Sequence, residues 1–337
     1  MAAAGLDAQA LLAPLERFSK VGLAISGGAD SLALLLLAHR HEAALGRPGR
    51  YVVYSVDHRL RPEAADEVAM VLAAAAARGL PARGLAWNEP KPATGISAAA
   101  RAARYGLIGT AMSADGCEAL ATAHHLFDQA ETVMMRMAHG SGLDGLRGMD
   151  REIVIDGLRI VRPLLDVDPE ALRAMVREDG LVPAADPSNS DTHYERVRWR
   201  QMLPQLAALG LDARRIANFA RRAGEAEAAL NGQAETARAL VTAIDPSGVA
   251  LPRRDFGLLP KAVATRLLAT LLREVGGAPR PFGLSAVEGL VERLGQGAFR
   301  TTLQGCLVSA GPVTIRIRPE PARRSATRAA TKEPPRA

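Results

Sequence analysis

Two cysteines, Cys117 and Cys306, are the only thiols in 337 residues, and they stand far apart in no Cys-x-x-Cys arrangement. This excludes a disulfide framework, argues against thiolate ligation of zinc or an iron–sulfur cluster, and leads to the expectation of a reducing, cytoplasmic setting. Aromatic residues make up only 4% of the chain, too few for a sheet that stacks RNA bases on its side chains. No apolar run reaches the roughly 18 residues a membrane span needs, so no membrane partner is expected. The first twenty residues carry Asp7 and Glu16 and lack the basic start and apolar block of a signal peptide. There is no internal repeat, and the only low-complexity segment is the tail.

What is present is a chain long enough for two domains, 48% hydrophobic, with a net charge of +6 in which arginine dominates. A basic balance of this size points to an anionic partner such as nucleic acid. Residues 319–337, rich in Arg, Ala and Pro, read as a disordered basic tail. Residues 1–208 alternate strand-like and helix-like segments. β-rich runs fall at 21–25, 51–56, 82–87 and 119–123, with helical patterns after each, and this predicts a doubly wound parallel α/β sheet. Two β-like runs follow at 153–155 and 158–161. From about 209 to 318 the pattern becomes mainly helical: one helix over 212–243, others over 259–275 and 284–294, and two strands at 300–307 and 313–317.

The stretch that organises the chain is Ser26-Gly27-Gly28-Ala29-Asp30-Ser31, between the first strand and the helix behind it. Its glycines allow a sharp turn with bare N–H groups, and the helix start adds positive potential, which together make a phosphate cradle. In open α/β sheets ligands sit beyond the carboxyl ends of the strands. The second strand ends there in Asp57-His58, and the fourth in His124-His125 followed by Asp128 and Glu131. These clusters are expected to converge on one crevice. Asp128 and Glu131, at i and i+3 on one helix, face the same side. Arg196, Arg198 and Arg200 alternate with apolar residues and suit either a phosphate backbone or a solvated helix face.

Taken together, several segments carry a resemblance. They are the Ser26–Ser31 loop, Val56-Asp57-His58-Arg59-Leu60-Arg61, Ala100-Arg101-Ala102-Ala103-Arg104-Tyr105, Thr122-Ala123-His124-His125, and Asp128-Gln129-Ala130-Glu131-Thr132. Gly140-Ser141-Gly142, Arg162-Pro163-Leu164 and Asp186-Pro187-Ser188-Asn189 with Tyr194, Arg196 and Leu203-Pro204 complete them. In this order they resemble the tRNA(Ile)-lysidine synthetase family of the PP-loop ATP pyrophosphatases, whose fold is adenine nucleotide alpha hydrolase-like.

The resemblance implies that ATP adenylates C2 of the wobble cytidine in a tRNA(Ile) with anticodon CAU, and that the ε-amine of L-lysine then displaces AMP. Ser26, Gly27, Gly28, Ala29, Asp30 and Ser31 would grip the phosphates, with Asp57, His58, Arg104, His124 and His125 completing the nucleotide site. Asp30, Arg101, Asp128 and Glu131 would be catalytic, Asp128 and Glu131 by holding the lysine ammonium and accepting its proton. It also implies Mg2+, with Asp30 as its carboxylate ligand or as the group orienting the loop.

The sequence departs from the family in three places: Phe127 stands where a second acid usually precedes the Gln, and Ser97 and Val197 replace a usual Glu and Asn. Longer members carry a third, acceptor-stem domain that this chain is expected to lack. Binding of tRNA would then rest on the second domain and on Arg214, Arg215, Arg221 and Arg222. A PP-loop tRNA thiolase and a non-catalytic nucleotide- or tRNA-binding relative are the alternatives, and the oligomeric state, a homodimer included, stays open.

Overall fold

A computed structural model describes residues 5–184, 191–244, 248–277 and 283–321. The expected Asp186-Pro187-Ser188-Asn189 motif and nearly all of the basic tail lie outside the described residues. The chain divides into two compact units, on either side of Gly224.

The first unit opens with α1 (Ala8–Leu12), capped by Asp7, and a 3-10 turn leading into β1 (Val21–Ala24). Then come α2 (Ala29–Leu45), β2 (Tyr51–Asp57), α3 (Ala64–Ala76), β3 (Ala82–Ala86), α4 (Ile96–Asp115), β4 (Ala119–Ala121) and α5 (Leu126–Ala138). A short α6 (Leu143–Leu146), the hairpin β5 (Glu152–Ile155) and β6 (Leu158–Val161), α7 (Pro169–Glu178) and α8 (Glu195–Ala208) follow. The strand order is β3-β2-β1-β4-β6-β5, parallel except for the β5 edge. The expected parallel sheet is therefore present.

Val21, Leu23 and Ile25 on one face of the strand and Gly22 on the other are buried, as a central strand covered on both faces requires. Residues 32–38 of α2 are buried all round, so this helix is a core element, packed against α1 and α7. Because β1 pairs with β2 on one side and with β4 on the other, the strand order reverses beside β1. The crevice at the carboxyl ends of β1 and β4 is the topological switch point, where ligands of such sheets bind.

The long α9 (Ala213–Ala237) passes through the unit division. That division lies further along than the boundary expected after 208, because Ala213, Ile216 and Ala220 share a buried cluster with Leu126, Ala130 and Val133 of α5.

The second unit continues with β7 (Thr242–Ile244), β8 (Gly248–Pro252), α10 (Arg253–Gly257), α11 (Lys261–Gly276) and α12 (Leu284–Gln296). The strands β9 (Phe299–Leu303), β10 (Cys306–Ala310) and β11 (Thr314–Pro319) close it. The helices expected over 259–275 and 284–294 are present as α11 and α12, but they pack with the unexpected α10 on an antiparallel sheet of order β7-β8-β11-β10-β9. Leu251, Val308, Ile315 and Ile317 are buried, whereas Arg300, Arg316 and Arg318 alternate onto the open face.

Two sequence expectations change here. The helix expected to reach 243 ends at Ala237, and the single strand expected over 300–307 is a hairpin turning at Gln304 and Gly305, both with positive φ. Among the described residues no helix is long and apolar enough to cross a membrane.

Candidate active site

The loop after β1 is held by its own hydroxyls. Ser31 Oγ donates to the Gly28 carbonyl at 2.8 Å and accepts from the Ser26 amide at 3.2 Å, and Ser26 Oγ lies 3.3 Å from it. Gly27 has φ +88°, a backbone conformation that calls for glycine, and a Cβ there would come within 3.1 Å of the flexible end of Met70. The Gly27 carbonyl is taken by the Ala184 amide at 3.0 Å. Gly28 precedes α2 with no side-chain cap, which leaves the first amides of that helix for an anion.

Asp30 lies in the first turn of α2. One of its oxygens, Oδ1, is buried without a partner, and the other lies 3.3 Å from His125 Nε2. His125 is the N-cap of α5: its Nδ1 accepts from the amides of Phe127 and Asp128, while its own amide donates to Asp128 Oδ2 at 3.0 Å. With Nδ1 accepting, the ring proton sits on Nε2, facing Asp30 and, at 3.5 Å, Asp128. Burial works against protonation of this ring, but Asp30, Asp128 and Glu131 outweigh it and raise its pKa. A single imidazole thus joins the loop after β1 to the helix after β4.

Glu131 is fully buried. Arg200 Nε meets Oε1 at 2.7 Å, Arg200 Nη2 meets Oε2 at 3.3 Å, and Arg196 Nε lies 3.5 Å from Oε2. Burial raises its pKa, and the arginines oppose that shift. Two expectations are corrected. Glu131 is occupied by a bidentate partner instead of standing open as a second acceptor for an ammonium, and Arg196 and Arg200, for which a phosphate backbone and a solvated helix face were both open, pair with the acids of α5. Arg198 donates to the carbonyls of Thr192 and His193. Asp128 is the less committed acid, 3.7 Å from Arg200 and only part-buried. Phe127, in the place of the second acid, sets its ring edge-on to His125 at 6.3 Å and packs beside the α5–α9 cluster.

A second set of polar groups borders this core. Arg101 and Arg104 lie over the Tyr105 ring at 5.0 and 5.2 Å. His58 meets Trp87 edge-on, and its pKa is lowered by burial and then by Arg104. His124 bonds Thr122 Oγ1 through Nδ1 at 2.8 Å, and its pKa is lowered to about 4, chiefly by burial, against the pull of Asp128. Asp57 caps the turn after β2 by accepting from the Arg59 amide at 2.7 Å. Arg162, which carried no assigned role in the sequence, is 4% exposed after β6 and loses some of its basicity to burial. His58 Nδ1, Arg104 Nε, Tyr105 Oη and Arg162 Nε are buried without partners. Buried groups in native proteins are normally paired, and such a concentration of orphans marks a polar site that takes a ligand.

The structure therefore brings Ser26, Asp30, Ser31, His125, Asp128 and Glu131 together at the switch point, while Asp57, His58, Arg101, Arg104 and His124 border it. Sequence reasoning missed Arg162 and the Arg200 clamp. Among the described residues no group of three or more His, Cys, Asp or Glu is placed to hold a metal by itself. Asp30 supplies one carboxylate with a free lone-pair site, which fits an ion such as magnesium that takes most of its ligands from phosphate oxygens. Cys117 precedes β4, at the end of the strands opposite the crevice, and Cys306 is buried within the second unit.

A strand, a glycine turn and an anion-receptive helix start, placed at the switch point of a parallel sheet, define a PP-loop nucleotide-using enzyme. In agreement, residues 5–206 match the family described as the PP-loop domain. A tRNA(Ile)-lysidine synthase of Rhodopseudomonas palustris is 42% identical, covering 97% of this chain and 98% of its own length. Another, of Methylobacterium nodulans, is 41% identical over 96% and 99%. The chain belongs to the tRNA(Ile)-lysidine synthase family. A solved U34-tRNA thiolase from Methanococcus maripaludis, with its 4Fe-4S cluster, shares the fold at a TM-score of 0.55 and 16% identity, over 64% of this chain and 77% of its own.

Proposed function

We propose that the protein converts the wobble cytidine of CAU-anticodon tRNA(Ile) to lysidine, using ATP and L-lysine. The observation that carries the reading is the His125 link between the Ser26–Ser31 loop and Asp128 of α5, because it sets a phosphate cradle beside an acid at one crevice.

In the first half-reaction the cytosine O2 attacks the α-phosphate of ATP and pyrophosphate leaves. Loop amides, the two serine hydroxyls and the α2 start stabilise the charge that develops on the leaving group. Magnesium, held by Asp30 and phosphate oxygens, would supply further charge neutralisation. Arg101, Arg104 and Arg162 meet the remaining negative charge of the adenylated base.

In the second half-reaction the lysine ε-amine adds to C2, loses a proton to Asp128, and the C2–O bond to AMP breaks. Glu131 positions Arg200, which lies beside Asp128 and holds that carboxylate in place. Every residue in this scheme lies on one chain, and the reaction belongs in the cytoplasm, with tRNA.

The test is incubation with ATP, magnesium, labelled lysine and CAU-anticodon tRNA(Ile). Label on the wobble cytidine with stoichiometric AMP and pyrophosphate is expected. Folded, ATP-binding protein that transfers no lysine overturns the reading.

A further inference from the structure

The first half of α9 carries a surface that the chemistry above does not use. From Ala213 to Gly224 the helix contains Arg214, Arg215, Arg221, Arg222, Asn218 and Phe219, and no acid. Ala213, Ile216, Ala220 and Ala223 are buried, so the helix rests on that side and turns the polar residues outward. At 100° per residue the outward side chains occupy one continuous face, with Arg215, Phe219 and Arg222 in a row and Arg214, Asn218 and Arg221 alongside. Arg215 is tied back to Asp212. Arg214 and Arg222 have no ion-pair or hydrogen-bond partner among the described residues.

In a chain so poor in aromatics, Phe219 is 44% exposed, and Tyr194 is the other exposed aromatic among the described residues. A single exposed aromatic ring beside guanidiniums is by itself an ordinary surface feature. It is, however, the pairing that proteins use for single-stranded nucleic acid, with a platform for a base and cations for the phosphates on either side. Arg214 and Arg222, about 12 Å apart along the helix axis, would match two phosphates of a short backbone run. This face is also close to the chemistry. Ile216 and Ala220 pack on Leu126, Ala130 and Val133 of α5, and α5 begins at His125, so only one helix-to-helix spacing of about 10 Å separates them.

We infer that the outer face of α9 receives unpaired loop nucleotides flanking the reacting cytidine: Phe219 stacks on one exposed base, and Arg214 and Arg222 pair with neighbouring phosphates. The inference rests on the proposed function.

Its test uses the full chain and CAU-anticodon tRNA(Ile), with binding measured across a salt series alongside lysine transfer and ATP binding. Phe219→Ala is expected to weaken tRNA binding about 5- to 100-fold with the salt slope unchanged, and Phe219→Trp to preserve it. Arg214→Ala with Arg222→Ala should lower the log–log salt slope by about 1.4, from two lost phosphate contacts. ATP binding should be the same in all variants. Wild-type affinity and slope in Phe219→Ala and the double variant, with lysine transfer intact, overturn the inference alone. So does a change of oligomeric state in Phe219→Ala, which would make the face a contact between copies. Absence of lysine transfer by the wild-type protein overturns the functional reading instead.

Discussion

Among the described residues of the parallel-sheet unit, six buried side-chain polar atoms have no partner; in the antiparallel unit there is one, Thr265 Oγ1. Of the six, those of Asp30, His58, Arg104, Tyr105 and Arg162 gather around the carboxyl ends of β1, β2 and β6, while Arg50 Nε lies at the other end of the sheet, just before β2. The antiparallel sheet spends its polar groups differently: its apolar side packs on α11, and its arginines stand out in water. An unpaired buried group costs on the order of 1–3 kcal/mol. The first unit bears that cost repeatedly at one place, which a scaffold alone would not require, and the second hardly bears it at all. The difference separates a sheet built around a reaction from a sheet built to be stable.

The sharpest way to break this contrast is Asp30→Ala. AMP formation in the presence of tRNA should fall by about 10²–10³-fold or more, with thermal unfolding shifted by no more than the lost Asp30 Oδ2–His125 pair is worth, about 1–3 kcal/mol, because the other carboxylate oxygen has no partner to lose. Near-normal turnover would show that the orphaned atoms of the first sheet are unrelated to chemistry.

Next is Gly276→Ala, at the end of α11, where a Cβ would lie 2.2 Å from the Gln304 carbonyl and 2.9 Å from Cys306 Sγ. Overpacking against backbone should cost about 2–3 kcal/mol, read as an earlier unfolding transition, while ATP affinity stays that of the wild type. Loss of ATP binding would contradict the division of labour.

A smaller effect concerns His124. Its pKa is about 4 in the fold against an ordinary 6.5, so between these values the unfolded chain holds a proton that the native state does not. Stability should therefore fall as pH drops from 6.5 towards 4, by at most about 3 kcal/mol. His124→Gln should flatten that dependence in unfolding curves taken at pH 7 and pH 5; an unaltered dependence would assign the acid sensitivity elsewhere.

The smallest is Thr265→Val, which removes the one orphan among the second unit's described residues. Stability should stay the same or rise by less than about 1 kcal/mol, with lysine transfer unaffected; a marked loss in chemical denaturation would mean that the hydroxyl has a partner in solution.

Much of the first unit was legible before any coordinates, because its signals are local. The strand at 21–24, the glycine turn and the helix behind it follow one another in sequence, and alternation of strands and helices dictates which ends converge. Placement of Ser26, Asp30, His125 and Asp128 at one crevice follows from that alone. The clamp on Glu131 was not legible, since Arg200 lies far along the chain and reaches α5 only through packing of α8 against it. Nor was the burial of Arg162: the Arg162-Pro163-Leu164 segment belongs to the resemblance, but no local pattern announces that its guanidinium is enclosed.

The second sheet was the least readable region. Alanine and arginine continue past Ala237 without a helix-breaking residue, so the strand Thr242–Ile244 is set by its pairing with Gly248–Pro252. Likewise the β9–β10 turn hides in Gln304-Gly305, where Gln304 takes a positive φ that residues other than glycine seldom adopt.

The His125 ring also acts as a ruler. Its two nitrogens touch structures that belong to different strands, the cap of α5 on one side and the first turn of α2 on the other. The gap between the phosphate cradle and the acid of α5 is therefore measured off by the width of one imidazole, and no flexible chain intervenes. Movement of either half must carry the other with it or break the Asp30–His125 contact or the cap, so the proposed two half-reactions would share a frame of fixed gauge.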